Sequence, residues 1–453
     1  MARTAMAVCV VLLTGLVAAV VDAAPASRGK VMRTTRRPVT SRGPNPDRWL
    51  WEIAAQWPRT GTDESVVDIA CSEEAGIAVT NQGRVLISRD GGTHWELCPT
   101  APAPTEDEYA PGFVCCAVAG DRLLAGGYRL IIMSPDAGRT WTTGDIPPVR
   151  NEYNNRKWTV RAICPDASDA NDIMAVADTP ELLRLRNVGT ERRWVGNTYE
   201  DVPVQEYRTV AMPKAIVFKS ADGGFDWSAA IRPGGLELGE VKALHYERTG
   251  RSWLVGGFME RALLYAQATG RPYRDVWFSN NDGGTWRPLT TPGALSDAFG
   301  GSCKAWIASF GHALWTGCSR QRNPGCLWRS MDAGASWHPM PIPGEFEKAY
   351  DMALLSAGKG VMTKRRSVHY RDIYHTMNAD EASPKWVKDA LPEGWWPSPV
   401  AACKAGRYPF VAGAKKYGHI GILGAVPPRR TIVRPQRVRA RGPAARRSAP
   451  RPR

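Results

Sequence analysis

The chain has 453 residues, of which 43% are hydrophobic and 23% charged, and its formal net charge is +15. That length and apolar content suit two or three ordinary domains or one large repeat array, and they exclude a chain disordered throughout. Ten Cys and seven His occur with no CxxC or Cys/His spacing of the kind that holds zinc.

The N-terminus reads as a secretory signal peptide over residues 1–23. Arg3 precedes an apolar run from Ala5 to Val21, which ends on the small-residue site Val21-Asp22-Ala23. No later stretch approaches the roughly eighteen apolar residues that a membrane-spanning helix needs. Residues 24–48 carry seven Arg or Lys against one Asp and form a basic linker expected to be disordered. Residues 425–453 are an Arg/Pro-rich tail, with ten Arg and no acid after Pro427. The body between is close to neutral, so the basicity lies in two tails suited to polyanions or an anionic membrane.

Within the body, one eight-residue pattern, S-x-[DN]-x-G-x-x-W, occurs five times. The copies are Ser88, Asp90, Gly92 and Trp95; Ser134, Asp136, Gly138 and Trp141; Ser220, Asp222, Gly224 and Trp227; Ser279, Asn281, Gly283 and Trp286; and Ser330, Asp332, Gly334 and Trp337. Short Ser and Asp side chains bond neighbouring amides in a tight turn, and Gly supplies a positive φ. Trp then opens the next strand and buries a large ring. The repeat resembles the Asp-box (bacterial neuraminidase repeat) found on β-propeller blades, and in that setting these twenty residues are structural.

A second repeat lies upstream of the first. Nine-residue segments beginning at Val66, Phe113, Thr159, Glu240, Ser302, Ala349 and Pro399 stack on one another, with Val second in five of the seven. They read as innermost strands, each followed by an apolar second strand. The expected fold is all-β: a seven-bladed propeller of four-stranded antiparallel blades over residues 49–424. The sixth blade has no clean box, although Trp386 stands where its fourth strand should begin. The last blade is one strand short, and Trp49–Ala55 is an orphan strand. Pairing the two closes the ring and removes two exposed edges. Residues 180–213 read as an insertion between the second and third strands of blade three; the alternative is a degenerate extra blade around Trp194.

If the boxes occupy one face of the ring, partner-binding loops belong on the other. Arg84 and Arg129 fall there in blades one and two. Arg320 and Arg322 in blade five, Lys364, Arg365 and Arg366 in blade six, and Lys415 and Lys416 in blade seven form a basic sector. Trp395 and Trp396 stand in a neighbouring loop as aromatic anchors. Cys318 and Cys326, around an Asn-Pro-Gly turn, are the best disulfide pair; Cys71, Cys115, Cys116, Cys164 and Cys403 read as buried small hydrophobes. The third position of the inner-strand repeat is charged in five blades, at Asp68, Arg161, Lys242, Lys304 and Asp351. Asp68, Asp351 and Arg161 are candidates for channel chemistry, and no catalytic residue is assigned.

Among Asp-box propellers, the chain most resembles the photosystem II assembly/stability factors. These are single, exported, seven-bladed rings with an Arg-rich patch, and Val85–Trp95 looks like one of their blades. Sialidases are the second resemblance, but their Phe-Arg-Ile-Pro motif is missing. The resemblance implies a non-catalytic, monomeric binding propeller that docks an anionic protein or glycan surface, with no cofactor and no metal. The alternative is a glycoside hydrolase acting on extracellular glycans. The leader implies a secreted or periplasmic location, or entry to a thylakoid lumen through a two-part leader.

Overall fold

The computed structural model describes residues 48–427 except 62, 103–111, 148–157, 167, 196–197, 229–240, 247–251, 257–275, 282, 289–305, 318–326, 333, 342–347, 366–370 and 404–405. The chain divides after Asn45, and all of these residues belong to the second unit. The expected signal peptide, most of the basic linker and the Arg-rich tail lie outside the described residues.

The elements in chain order are all strands. After β1 (Leu50–Pro58), the first sheet is β2 (Val66–Cys71), β3 (Gly76–Thr80), β4 (Val85–Ser88) and β5 (Glu96–Leu97). The second is β6 (Phe113–Ala119), β7 (Arg122–Gly127), β8 (Leu130–Ser134) and β9 (Thr142–Thr143). The third has three strands, β10 (Thr159–Pro165), β11 (Ile173–Val195) and β12 (Thr198–Ser220). The fourth is β13 (Val241–Tyr246), β14 (Ser252–Gly256), β15 (Val276–Ser279) and β16 (Arg287–Pro288). The fifth is β17 (Trp306–Phe310), β18 (Ala313–Gly317), β19 (Leu327–Ser330) and β20 (His338–Pro339). The sixth is β21 (Lys348–Ser356), β22 (Lys359–Arg365), β23 (Arg371–Thr376) and β24 (Val387–Lys388). The last combines β25 (Trp396–Ala402), β26 (Phe410–Lys416) and β27 (His419–Val426) with β1 as its outer strand.

This is an all-β propeller arrangement. Six sheets are complete four-stranded blades; the third sheet departs from the expected four strands, with three among the described residues. The innermost strands β2, β6, β10, β13, β17, β21 and β25 each touch the next, and β25 returns to β2. The core lies between sheet faces. Ile77, Val79 and Ile87 of the first sheet pack on Phe113, Leu123 and Ile132 of the second. Trp306, Trp315 and Leu327 of the fifth pack on Met352 and Met362 of the sixth. Middle strands are covered on both faces, so β3 is buried at all five positions and reads as an unbroken apolar run, Gly-Ile-Ala-Val-Thr. The outermost β5 is exposed at both of its residues.

Two features of register matter for the site. Six innermost strands carry a one-step irregularity near their start, at Val66/Asp68, Phe113/Cys115, Val160/Ala162, Val241/Ala243, Ala349/Asp351 and Pro397/Val400. In the third sheet, β11 and β12 run 23 residues each and pair from Ile173↔Ser220 to Val195↔Thr198, whereas β10 meets only Ile173–Asp178. Residues 179–214 therefore extend past the sheet as a two-stranded ribbon between its second and third strands, and Trp194 pairs with Tyr199 within it.

Candidate functional site

The repeated turns share one bonding scheme. The Ser hydroxyl donates to the Asp or Asn side chain at 2.9 Å (Ser88–Asp90), 2.9 Å (Ser134–Asp136), 2.7 Å (Ser220–Asp222), 3.0 Å (Ser279–Asn281) and 2.7 Å (Ser330–Asp332). The same hydroxyl accepts the amide of Gly92, Gly138, Gly224, Gly283 or Gly334 at 2.7–2.9 Å. All five hydroxyl-bearing residues are buried, so each bond replaces one that water cannot make. The five glycines lie at φ between 77° and 101°, the left-handed region that favours Gly. The Asp then accepts amides three or four residues on, as Asp136 does from Arg139 and Thr140 at 3.0 and 2.8 Å. The Thr140 amide and hydroxyl hold the Asp136 carboxyl at about 2. At Asp332 burial pushes upward, but the Ser336 and Ser330 hydrogen bonds outweigh it and the value is again about 2.

A sixth turn escaped the pattern. Thr376 Oγ1 donates to Asn378 Oδ1 at 2.9 Å, and Asn378 Oδ1 accepts the Lys385 amide at 2.9 Å. Thr-x-Asn here does the work of Ser-x-Asp, and three extra residues separate it from Trp386. The available signal was a Thr/Asn pair preceding Trp386, which already marked the start of that blade's fourth strand.

In the inner strands, Asp68 Oδ2 accepts the Cys116 amide of the next sheet at 2.8 Å, and Oδ1 accepts the Ile69 amide at 3.0 Å. Asp351 repeats this with Val400 at 3.1 Å and Met352 at 3.0 Å. Both carboxylates thus tie one sheet to its neighbour. The backbone register of the charged third positions differs between sheets. Arg161 and Lys242 are the extra residues of their irregularities, whereas Asp68 and Asp351 are the first residues after theirs. Lys304 lies outside the described residues.

The basic sector divides as well. Lys364 ends up 2% exposed, its Nζ 4.7 Å from the centre of the Tyr374 ring and 3.4 Å from the Tyr374 hydroxyl. Burial lowers its pKa to about 8 against the upward pull of Asp372. It belongs to the sheet interior, which corrects its placement on the rim. Arg84 binds the fully buried Glu64 through two contacts of 2.7 Å, and Thr60 adds two more hydrogen bonds to that carboxylate. Trp395 is likewise corrected: it is 4% exposed and packs in the cluster of Trp49, Val400 and Phe410. Trp396 is half-buried and opposite Lys415 in register. Lys416 is exposed, and Tyr417 beside it is 91% exposed at the β26–β27 turn. Arg365 ends β22, paired with Arg371. Arg320, Arg322, Arg366, Cys318 and Cys326 lie outside the described residues. No group of three or more His, Cys, Asp or Glu among the described residues is placed to hold a metal ion. No described helix is long and apolar enough to cross a membrane.

No protein-family model matches the chain, and no curated protein sequence matches it. Solved structures do. A structure of YCF48 bound to a D1 peptide is 14% identical with a TM-score of 0.47, covering 84% of this chain and 97% of that one. YCF48 from Cyanidioschyzon merolae is 14% identical with a TM-score of 0.46, covering 83% and 98%. A GH74 xyloglucanase from Xanthomonas campestris is 14% identical with a TM-score of 0.49, covering 82% of this chain and 53% of that one. The chain spans about half the length of the xyloglucanase it matches.

Proposed function

We propose that the protein is an exported, non-catalytic binding or assembly propeller of seven blades, the three-stranded third sheet being one of them, and that it docks an anionic protein surface. The reading rests on the turn between β26 and β27. Lys416 and Tyr417 project there from a rigid two-strand support, with Tyr417 91% exposed. Lys415 and the half-buried Trp396 sit directly behind them. A cation beside an exposed aromatic ring, on loops held by a stiff sheet, suits a partner presenting carboxylates and an apolar side chain. The glycoside hydrolase reading depends on two carboxylates flanking a bond, and those of Asp68 and Asp351 are already bonded to backbone amides of the next sheet.

Partner capture from extracts of the native organism, followed by titration of the purified partner, tests this. Replacing Lys415, Lys416 and Tyr417 together by Ala should weaken binding roughly tenfold or more. Raising salt should weaken the parent but affect the variant much less, since exposed charges are screened over about 10 Å at 0.1 M. Unchanged affinity in the triple variant removes this face from the proposal. Turnover of a fluorogenic glycoside that disappears in Asp351→Asn favours the hydrolase.

A further inference from the structure

Cys71 closes the innermost strand of the first sheet, and Cys403 follows the innermost strand of the last; these two strands touch. Their sulfurs both lie against Gly92. A Cβ placed on Gly92 would meet the Cys403 sulfur at 2.8 Å and the Cys71 sulfur at 3.3 Å. Both belong to the apolar cluster of Trp95, Val411 and Ile422. The other described thiols lie elsewhere: Cys98, Cys115, Cys116 and Cys164 each rest against a backbone carbonyl oxygen at 3.7–3.9 Å. Burial, and then the hydrogen bond with the Cys403 thiol, push the Cys71 thiol well above its ordinary pKa. The two are therefore unbridged neighbours, at the junction where the first and last sheets meet.

We propose that Cys71 and Cys403 are a redox-responsive pair that closes into a disulfide, stapling the first sheet to the last. The oxidant is a small-molecule or protein disulfide, with oxidised glutathione as the simplest member of that class. Cys71 is the less buried of the two residues and Cys403 is 2% exposed, so the first attack is assigned to Cys71. Its thiolate attacks one sulfur of the oxidant, breaking that S–S bond and releasing one thiol. Cys403, losing its proton, then attacks the Cys71 sulfur and expels the second thiol. Two protons and two electrons leave the protein, and the oxidant becomes two thiols. The closed loop encloses nearly the whole ring, the case in which a cross-link most restricts the unfolded chain. Scarcity of thiolate at neutral pH makes closure slow in the folded protein, so the staple suits a lasting lock better than rapid signalling.

The test uses the full chain, treated with oxidised glutathione or dithiothreitol, quenched in acid, then unfolded in denaturant at neutral pH with excess alkylating agent and mapped by mass spectrometry. The oxidised sample should yield a cross-linked peptide pair holding Cys71 and Cys403, and its melting temperature should exceed that of the reduced sample by roughly 5 °C. In Cys403→Ala the cross-linked pair and the shift should both vanish. Two outcomes overturn the proposal: both thiols alkylated in full after oxidant treatment, or Cys71 linked to Cys116 instead. The peptide map of the unmodified protein decides this even if the variant does not fold.

Discussion

Lys364 and Lys416 look alike in sequence, each a lysine near the end of a second strand, yet they occupy opposite environments. Lys416 is exposed at a turn, whereas Lys364 is 2% exposed over the face of Tyr374. Its pKa falls from 10.5 to about 8, so between those values the unfolded chain binds more protons than the folded one. Stability therefore rises with pH across that window, and the penalty of a buried ammonium is present in full below it. Lys364→Met should stabilise the protein by about 1 kcal/mol at pH 7, because an apolar side chain of similar length removes the desolvation cost. The gain should fade toward pH 10. Thermal melts of both proteins at the two pH values check it; a gain that persists undiminished at pH 10 would mean that the cause is packing and not charge.

At the scale of elements, β1 depends on two neighbours. It pairs with β27 from Leu50↔Val426 to Pro58↔His419. Its start and the residue before it also bond the segment that follows β24, through Trp51 N to Ala390 O at 2.9 Å and Ala390 N to Trp49 O at 3.1 Å. Asp389 holds that corner together. Its carboxylate accepts the Trp51 indole N–H at 3.0 Å and the His375 Nδ1–H at 2.6 Å, and Trp49 stacks on His375 at 4.9 Å. Asp389→Ala leaves two buried donors without an acceptor and should cost about 3 kcal/mol. Urea unfolding measures this, and a loss within 0.5 kcal/mol, roughly the spread of surface substitutions, would show that β1 is held by pairing alone. Trp49–Ala55 was legible as a strand needing a partner, because it was apolar and the last blade lacked one. The Asp389 clamp was not legible: Trp51 lies 338 residues before Asp389 in the chain.

For the whole molecule, the junction between chain start and chain end decides whether the sheets hold together. Trp49 and Trp51 are 6% and 4% exposed and share a cluster with Phe410 and Leu423. Deleting residues 1–56 removes both rings and most of β1, leaving an open edge on β27. Under reducing conditions this truncation should lower the melting temperature by roughly 10 °C or more, given several kcal/mol for each lost Trp. Deleting 428–453 should leave it within about 2 °C, within the range of changes that touch no core contact. Scanning calorimetry of the three proteins separates these outcomes, and an N-terminal truncation that melts like the full chain would refute closure by β1.

Local chemistry is set by the sequence. In each S-x-[DN]-x-G-x-x-W copy the Ser and the Asp or Asn side chains make their turn-forming hydrogen bonds within eight residues, so the turn is legible from composition and spacing. The succession of apolar runs likewise marked inner and second strands, because every blade repeats the same burial. Only the tertiary structure could place the charged side chains. Asp68 and Asp351 reach amides 48 and 49 residues away. Arg161 is the extra residue of a one-residue irregularity, and the Cys71 and Cys403 sulfurs come together only where the first and last sheets touch. Turn geometry is set by neighbours along the chain, whereas burial and charge pairing are set by whichever sheet packs alongside.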